Sequence, residues 1–184
     1  MRAALLSLIL LAPAVHAQAP DASWAWVAPG SGIAVALDDG FEAWEAGTGL
    51  AGRIETPAYG GRLRADLQFL TYDAVEDVAD FWLAVPTLGW GPGVEIGPLR
   101  LALGGRVGGA VFQFDDDDAG NLEREIEAAV GGWVGGALRV GRVEVWAEAD
   151  ATRITLSTPT TIVAARAGLA LRLGTPRALR EVLQ

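Results

Sequence analysis

Hydrophobic and polar positions alternate with a period of two over most of the chain, the signature of strands whose two faces meet different surroundings. In Arg62-Leu63-Arg64-Ala65-Asp66-Leu67-Gln68-Phe69 one face carries Arg, Arg, Asp and Gln, and the other Leu, Ala, Leu and Phe. The same split recurs over 142–150 and 163–173. Two longer segments, 99–114 and 126–140, place Arg100, Gly104, Arg106 and Gly108, then Gly131, Gly135 and Arg139, on one parity, opposite mainly Leu, Val, Ile and Gly. With 81–90, 50–55 and 33–37 the pattern predicts eight strands. Only the tail has helical spacing: Thr175 as a cap, Pro176 at the first position and leucines at 179 and 183 predict one short helix.

The connections between these strands alternate in character. Those after the second, fourth and sixth strands (57–60, 91–98 and Gly141) are short and almost uncharged. Those after the first, third and fifth hold Asp38, Asp39, Glu42 and Glu45; Asp73, Glu76, Asp77 and Asp80; and Asp115 to Asp118 with Glu123 and Glu125. In an up-and-down meander all of these acids gather at one end. They make fourteen of the chain's 23 acidic residues, which explains how a sequence that is 51% hydrophobic carries a formal charge of -9.

The first seventeen residues stand apart from the strand pattern. Arg2, the apolar run 3–11, Pro13 and the small-x-small site Val15-His16-Ala17 predict a secretory signal peptide cleaved after Ala17. The expected organisation is therefore a signal peptide over 1–17, an N-terminal segment over 18–30, a barrel over 31–173 and a periplasmic tail over 174–184. Cleavage removes His16, the only histidine, from a chain that has no Cys and whose basic residues are all Arg. Without His, Cys or Lys there is no imidazole base, thiolate, Schiff-base amine or soft metal ligand. Carboxylate-pair hydrolysis is what remains, and no spacing singles out a pair.

Alternation does not say which face is inside. A soluble barrel buries its apolar face around a ligand, whereas a membrane barrel turns it to lipid and encloses the polar one. The polar parity mixes Gly, Ala, Arg and Glu, as a narrow lumen requires. Several strands also reach the ~9–11 residues that cross a bilayer at a tilt, and long acidic connections oppose short neutral ones. All three favour the membrane version, with a soluble carrier of an apolar ligand as the alternative.

These features resemble the small bacterial outer-membrane β-barrels represented by OmpA-type transmembrane domains and OmpX-like proteins. The resemblance covers 31–173 and rests on the signal peptide, the eight amphipathic strands, the run Asp80-Phe81-Trp82-Leu83-Ala84-Val85-Pro86 and the Gly-rich strands around Gly104-Gly105 and Gly131-Gly132. It implies an all-β, eight-stranded antiparallel up-and-down transmembrane barrel in the outer membrane. Its implied partners are outer-membrane lipid and the barrel assembly machinery, with no cofactor and no nucleic acid. The chain departs from the family at its end, where eleven residues follow Leu173 in place of a terminal aromatic. Enzymes of this architecture, among them barrel lipases, palmitoyl transferases, lipid A deacylases and omptin proteases, resemble one another in using a histidine. The mature chain has none, so a non-enzymatic, structural or surface-interacting role is expected.

In the membrane version Arg62, Arg64, Asp66, Arg100, Arg106, Arg139, Glu144, Glu148, Asp150, Arg166 and Arg172 share the lumen as an ion-paired network. The alternative use of the same residues is a charged constriction in a small-solute channel. Trp133 and Trp146 lie on that parity and are expected to stack on arginines or fill space. Asp115, Asp116, Asp117 and Asp118 form a weak cation candidate: they lack the alternating ligands and distal Glu of a calcium loop, and diffuse binding of divalent cations is the more natural reading. Phe69, Tyr72, Phe81, Trp82 and Trp90 fall near strand ends, where aromatic girdles belong.

Overall fold

The chain closes into a barrel because each amphipathic strand finds an antiparallel neighbour on both sides. The computed structural model describes residues 26–38, 41, 43–75, 79–114, 124–155 and 159–174. The eight barrel strands are β1 Trp26–Asp38, β2 Thr48–Ala58, β3 Gly61–Ala74, β4 Phe81–Gly91, β5 Leu99–Phe114, β6 Arg124–Val140, β7 Val143–Ile154 and β8 Thr160–Leu171. Three short segments extend them: Trp44–Ala46 pairs with β3, Gly93–Ile96 with β5 and Leu173–Gly174 with β1. Each strand pairs with the next, and β8 pairs with β1 from Gly30↔Ala170 to Asp38↔Val163. Closure leaves none of the eight barrel strands as an edge, which in lipid would expose unpaired backbone groups.

Register partners of Ala28 run through Glu55, Arg64, Gly89, Arg106, Gly131, Thr152 and Ile162, and return to β1 beside Asp38. One circuit therefore climbs roughly ten residues, the stagger that tilts the strands of a closed barrel. Gly49 and Gly108 serve this coiling. A Cβ on them would lie 1.8 Å from the Phe69 carbonyl oxygen and 2.0 Å from that of Pro86, so only glycine lets adjacent backbones approach so closely there.

The turn end is built from two-residue hairpins. Tyr59 and Gly60 both have positive φ (51° and 72°), as a type I′ turn requires, while Gly97 (59°) and Gly141 (63°) hold the first central position ahead of Pro98 and Arg142. Two boundaries differ from the sequence expectation. Residues 26–30 belong to the first strand, where Ala28 pairs with Glu55, so the barrel starts before residue 31. The stretch 91–98 is not all connection: past Pro92 the chain resumes pairing as Gly93↔Ala102 to Ile96↔Leu99. The predicted signal peptide and the predicted C-terminal helix over 175–183 lie outside the described residues.

Burial along each strand gives the orientation. Leu63, Leu67, Val143, Val145 and Leu169 are between 37% and 57% exposed. Arg64, Asp66, Glu144, Glu148 and Asp150, on the opposite parity, are at most 7% exposed. At these levels of the barrel apolar side chains face out and charges face in. An exterior of this kind is costly in water and favourable in hydrocarbon.

Candidate functional site

The lumen is filled by side chains in two zones. Along β3 the inward residues run Arg62, Arg64, Asp66 and Gln68, then Leu70 and Tyr72. Along β5 they run from Arg100 and Arg106 to Ala110 and Phe112. The turn-end half is therefore ionic and the loop-end half aromatic and aliphatic.

The ionic zone is continuous. At the turn-end mouth Glu95 accepts from Arg139 and, at 2.9 Å, from Arg62. Arg62 also reaches Glu55 at 3.0 Å, and Arg100 bridges Glu55 (2.6 Å) to Glu144 (2.7 Å). Arg53 carries the chain from Glu144 (3.1 Å) to Glu148 (3.4 Å). Arg64 binds Glu148 through both terminal nitrogens at 2.8 and 3.0 Å while its Nε donates to Asp66 at 2.7 Å. Arg166 joins Glu148 (2.6 Å) to Asp150 (2.7 Å), and Arg106 ends the series on Asp150 and Thr152. The guanidinium of Arg53 lies 4.2 Å from the ring centroid of Trp146, and that of Arg64 4.2 Å from that of Trp133. Each charge buried away from water costs several kcal/mol unless paired, so sharing every carboxylate among two or three arginines offsets that cost.

Of the residues singled out from sequence, Arg62, Arg64, Asp66, Arg100, Arg106, Glu144, Glu148, Asp150 and Arg166 lie buried in the interior. Arg139 and Arg172 are half-buried at the turn-end mouth. Asp115 to Asp118 lie outside the described residues. Three members of the series, Arg53, Glu55 and Glu95, are not among the residues expected from sequence. Arg53 and Glu55 alternate with Leu50 and Ile54, a parity signal as clear as that of β3. Glu95 was hidden because 91–98 reads as a turn; its register opposite Arg100 places it inside.

The aromatic zone holds Tyr72, Phe81 and Phe112, all buried, with Phe41, Trp44 and Phe114 packed on them. Tyr72 and Phe81 stack at 4.5 Å, and Phe41, from the first long connection, meets Tyr72 at 5.3 Å and Phe81 at 5.5 Å edge-on. Tyr72 and Phe81 are thus not girdle residues: they share the inward parity of Arg62 to Gln68. Phe69, Trp82 and Trp90 do face outward. Phe69 stacks on Trp82 at 5.3 Å, and the Trp90 indole nitrogen donates to the Ala58 carbonyl at 3.0 Å. Trp82 and Trp90 stand eight residues apart on β4, ~26 Å along the strand and ~20 Å along the axis at a ~40° tilt, comparable with the ~25 Å band of a membrane barrel. Between them on β4 the outward residues are Ala84, Pro86 and Leu88.

No family model matches the chain, and no curated protein does. Solved structures do resemble it. Neisserial surface protein A superposes with a TM-score of 0.55 at 16% identity, covering 82% of this chain and 97% of that one. Ail, the attachment invasion locus protein of Yersinia pestis, in complex with the heparin analogue sucrose octasulfate, gives 0.54 at 12% identity, covering 81% and 97%. At such identities the likeness is one of fold, and it agrees with the closed sheet and its inverted polarity: the chain has the fold of the eight-stranded outer-membrane β-barrels.

Proposed function

We propose that this protein is an integral outer-membrane barrel with a structural or surface-interacting role, its lumen plugged in series by the ionic network and the aromatic cap. The observation that carries the reading is the orientation of the strands, with Leu67, Val145 and Leu169 outward and Arg64, Glu148 and Asp150 inward. A soluble carrier needs the reverse, an apolar interior around its ligand. Eight strands enclose a space that side chains fill, and here arginine–carboxylate pairs occupy the turn-end half and rings the other, which supports a plug over a conduit. Among the described residues, the carboxylates of the ionic zone are held by arginines, an arrangement suited to rigidity rather than to proton transfer. The partners that go with this reading are outer-membrane lipid and the assembly machinery, with divalent cations gathered loosely by the acidic connections.

Membrane fractionation and gel mobility test the assignment together. The expected result is a detergent-requiring protein whose band shifts on heating. Full solubility in buffer without detergent would sink it. In planar bilayers the folded protein should show no discrete conductance steps; steady openings would favour the channel over the plug.

A further inference from the structure

The loop-end mouth of the lumen has two walls of different chemistry. On β3 to β5 the inward residues are Tyr72, Phe81, Phe112 and Phe114, and Phe41 and Trp44 lean onto them. Phe41, Trp44 and Phe114 are only half-buried, so their rings form the surface of the mouth. On β6, Glu125 and Glu127 share the parity of the buried Ala129 and Trp133, opposite to the exposed Ile126 and Val130. Register sets Glu125 beside Phe112 on the neighbouring strand, and Glu127 beside Ala110. Carboxylates on the inward parity deeper in the lumen are bound by arginines. Among the described residues neither Glu125 nor Glu127 has an ion pair. The nearest base in sequence, Arg124, is on the outward parity, and its Nε donates to Gln113 at 3.3 Å. It is also the only base in the acid-rich stretches 38–45, 73–80 and 115–125.

A ring wall flanked by carboxylates without an ion pair selects its ligand by chemistry. A cation beside an aromatic face is attracted by the ring quadrupole, and a carboxylate completes the neutralisation. A small hydrated metal ion gains nothing from the rings, and among the described residues no cluster of three metal-ligating side chains exists. A guanidinium or ammonium group on an apolar stem fits both walls. We propose that this mouth is a binding site for a basic side chain presented by a peptide or protein outside the cell, held between the half-buried rings of Phe41, Trp44 and Phe114 and the carboxylates of Glu125 and Glu127. The inference deepens the surface-interacting role proposed above and rests on it for which end of the barrel faces outward.

Fluorescence titration of the full chain, refolded in detergent, with hexa-arginine at fixed ionic strength tests it, since Trp44 is part of the wall. Saturable quenching is expected. Glu125→Gln with Glu127→Gln, and separately Phe41→Ala, should each weaken it about tenfold, while Asp116→Asn with Asp117→Asn should change it by less than about twofold. Glu125→Gln alone, at an exposed position, gives a variant whose folding is not at risk and should show part of the loss. Quenching that responds equally to the mouth and loop variants overturns the site in favour of diffuse attraction. So does absent quenching in a sample whose band still shifts on heating. A sample with no heat-shifted band overturns the barrel itself, and the site with it.

Discussion

Replacing Glu148 by Gln removes one negative charge from the centre of the ionic zone with almost no change in shape. Glu148 is met by Arg64 at 2.8 and 3.0 Å, by Arg166 at 2.6 Å and by Arg53 at 3.4 Å. The variant leaves these three arginines to Asp66, Asp150, Glu144 and Glu55, and the last three already serve Arg106, Arg100 and Arg62. A hydrogen bond to a charged group contributes roughly 1.5–3 kcal/mol, and removing one member of a buried ion pair costs about 3–5 kcal/mol because the other is left uncompensated. A loss of ~3–5 kcal/mol in unfolding free energy is therefore expected. Glu95→Gln is the internal control. Its side chain is 46% exposed, and water takes over much of what Arg139 and Arg62 lose, so less than ~1 kcal/mol should disappear. Urea unfolding of the barrel refolded into lipid vesicles, followed by tryptophan fluorescence and gel mobility, compares the two. If Glu148→Gln and Glu95→Gln fall within about 1 kcal/mol of each other, the network is no more than space-filling and the argument from buried pairing fails.

Three further outcomes follow from the fold. Val134→Arg places a charge on the outward face midway along β6, where Val134 is 58% exposed; folding into vesicles should weaken by ~2–4 kcal/mol, and an unchanged unfolding curve would contradict a lipid-facing surface there. Gly49→Ala puts a Cβ 1.8 Å from the Phe69 carbonyl oxygen, so the β2–β3 ladder must open locally, and backbone amide exchange at Leu70 and Ala51 should accelerate; unaltered protection refutes the close-approach reading. Gly60→Ala retains a positive φ of 72° at a cost of about 1 kcal/mol, which the same urea titration should register as a lower midpoint with the slope unchanged.

Much of this architecture is legible in the alternation of residues. The strands lie where a period of two runs, the long acidic connections gather at one end, and Arg62, Arg64 and Asp66 of β3, Arg100 and Arg106 of β5 and Glu144, Glu148 and Asp150 of β7 share one face, because a strand offers its side chains two directions in turn. What alternation leaves open is the sign of each face. The residues 62–69 read equally well with Leu63 and Leu67 inside or outside, and only closure of the sheet through β1 and β8 settles it. Tertiary structure alone also decides who pairs with whom: Arg64 meets Glu148, 84 positions away, because the stagger of the barrel brings β3 and β7 to one height across the lumen. The register of Gly93–Ile96 on β5, invisible in a Gly- and Pro-rich stretch, turned Glu95 from a loop residue into the outermost acid of the network. Tyr72 and Phe69 differ by three positions and so face opposite ways, one into the cap and one toward lipid. Sequence by itself determined that two unlike faces and two unlike ends exist; the closed sheet decided which face is inside and which charges meet, because those depend on neighbours the chain acquires only when its ends come together.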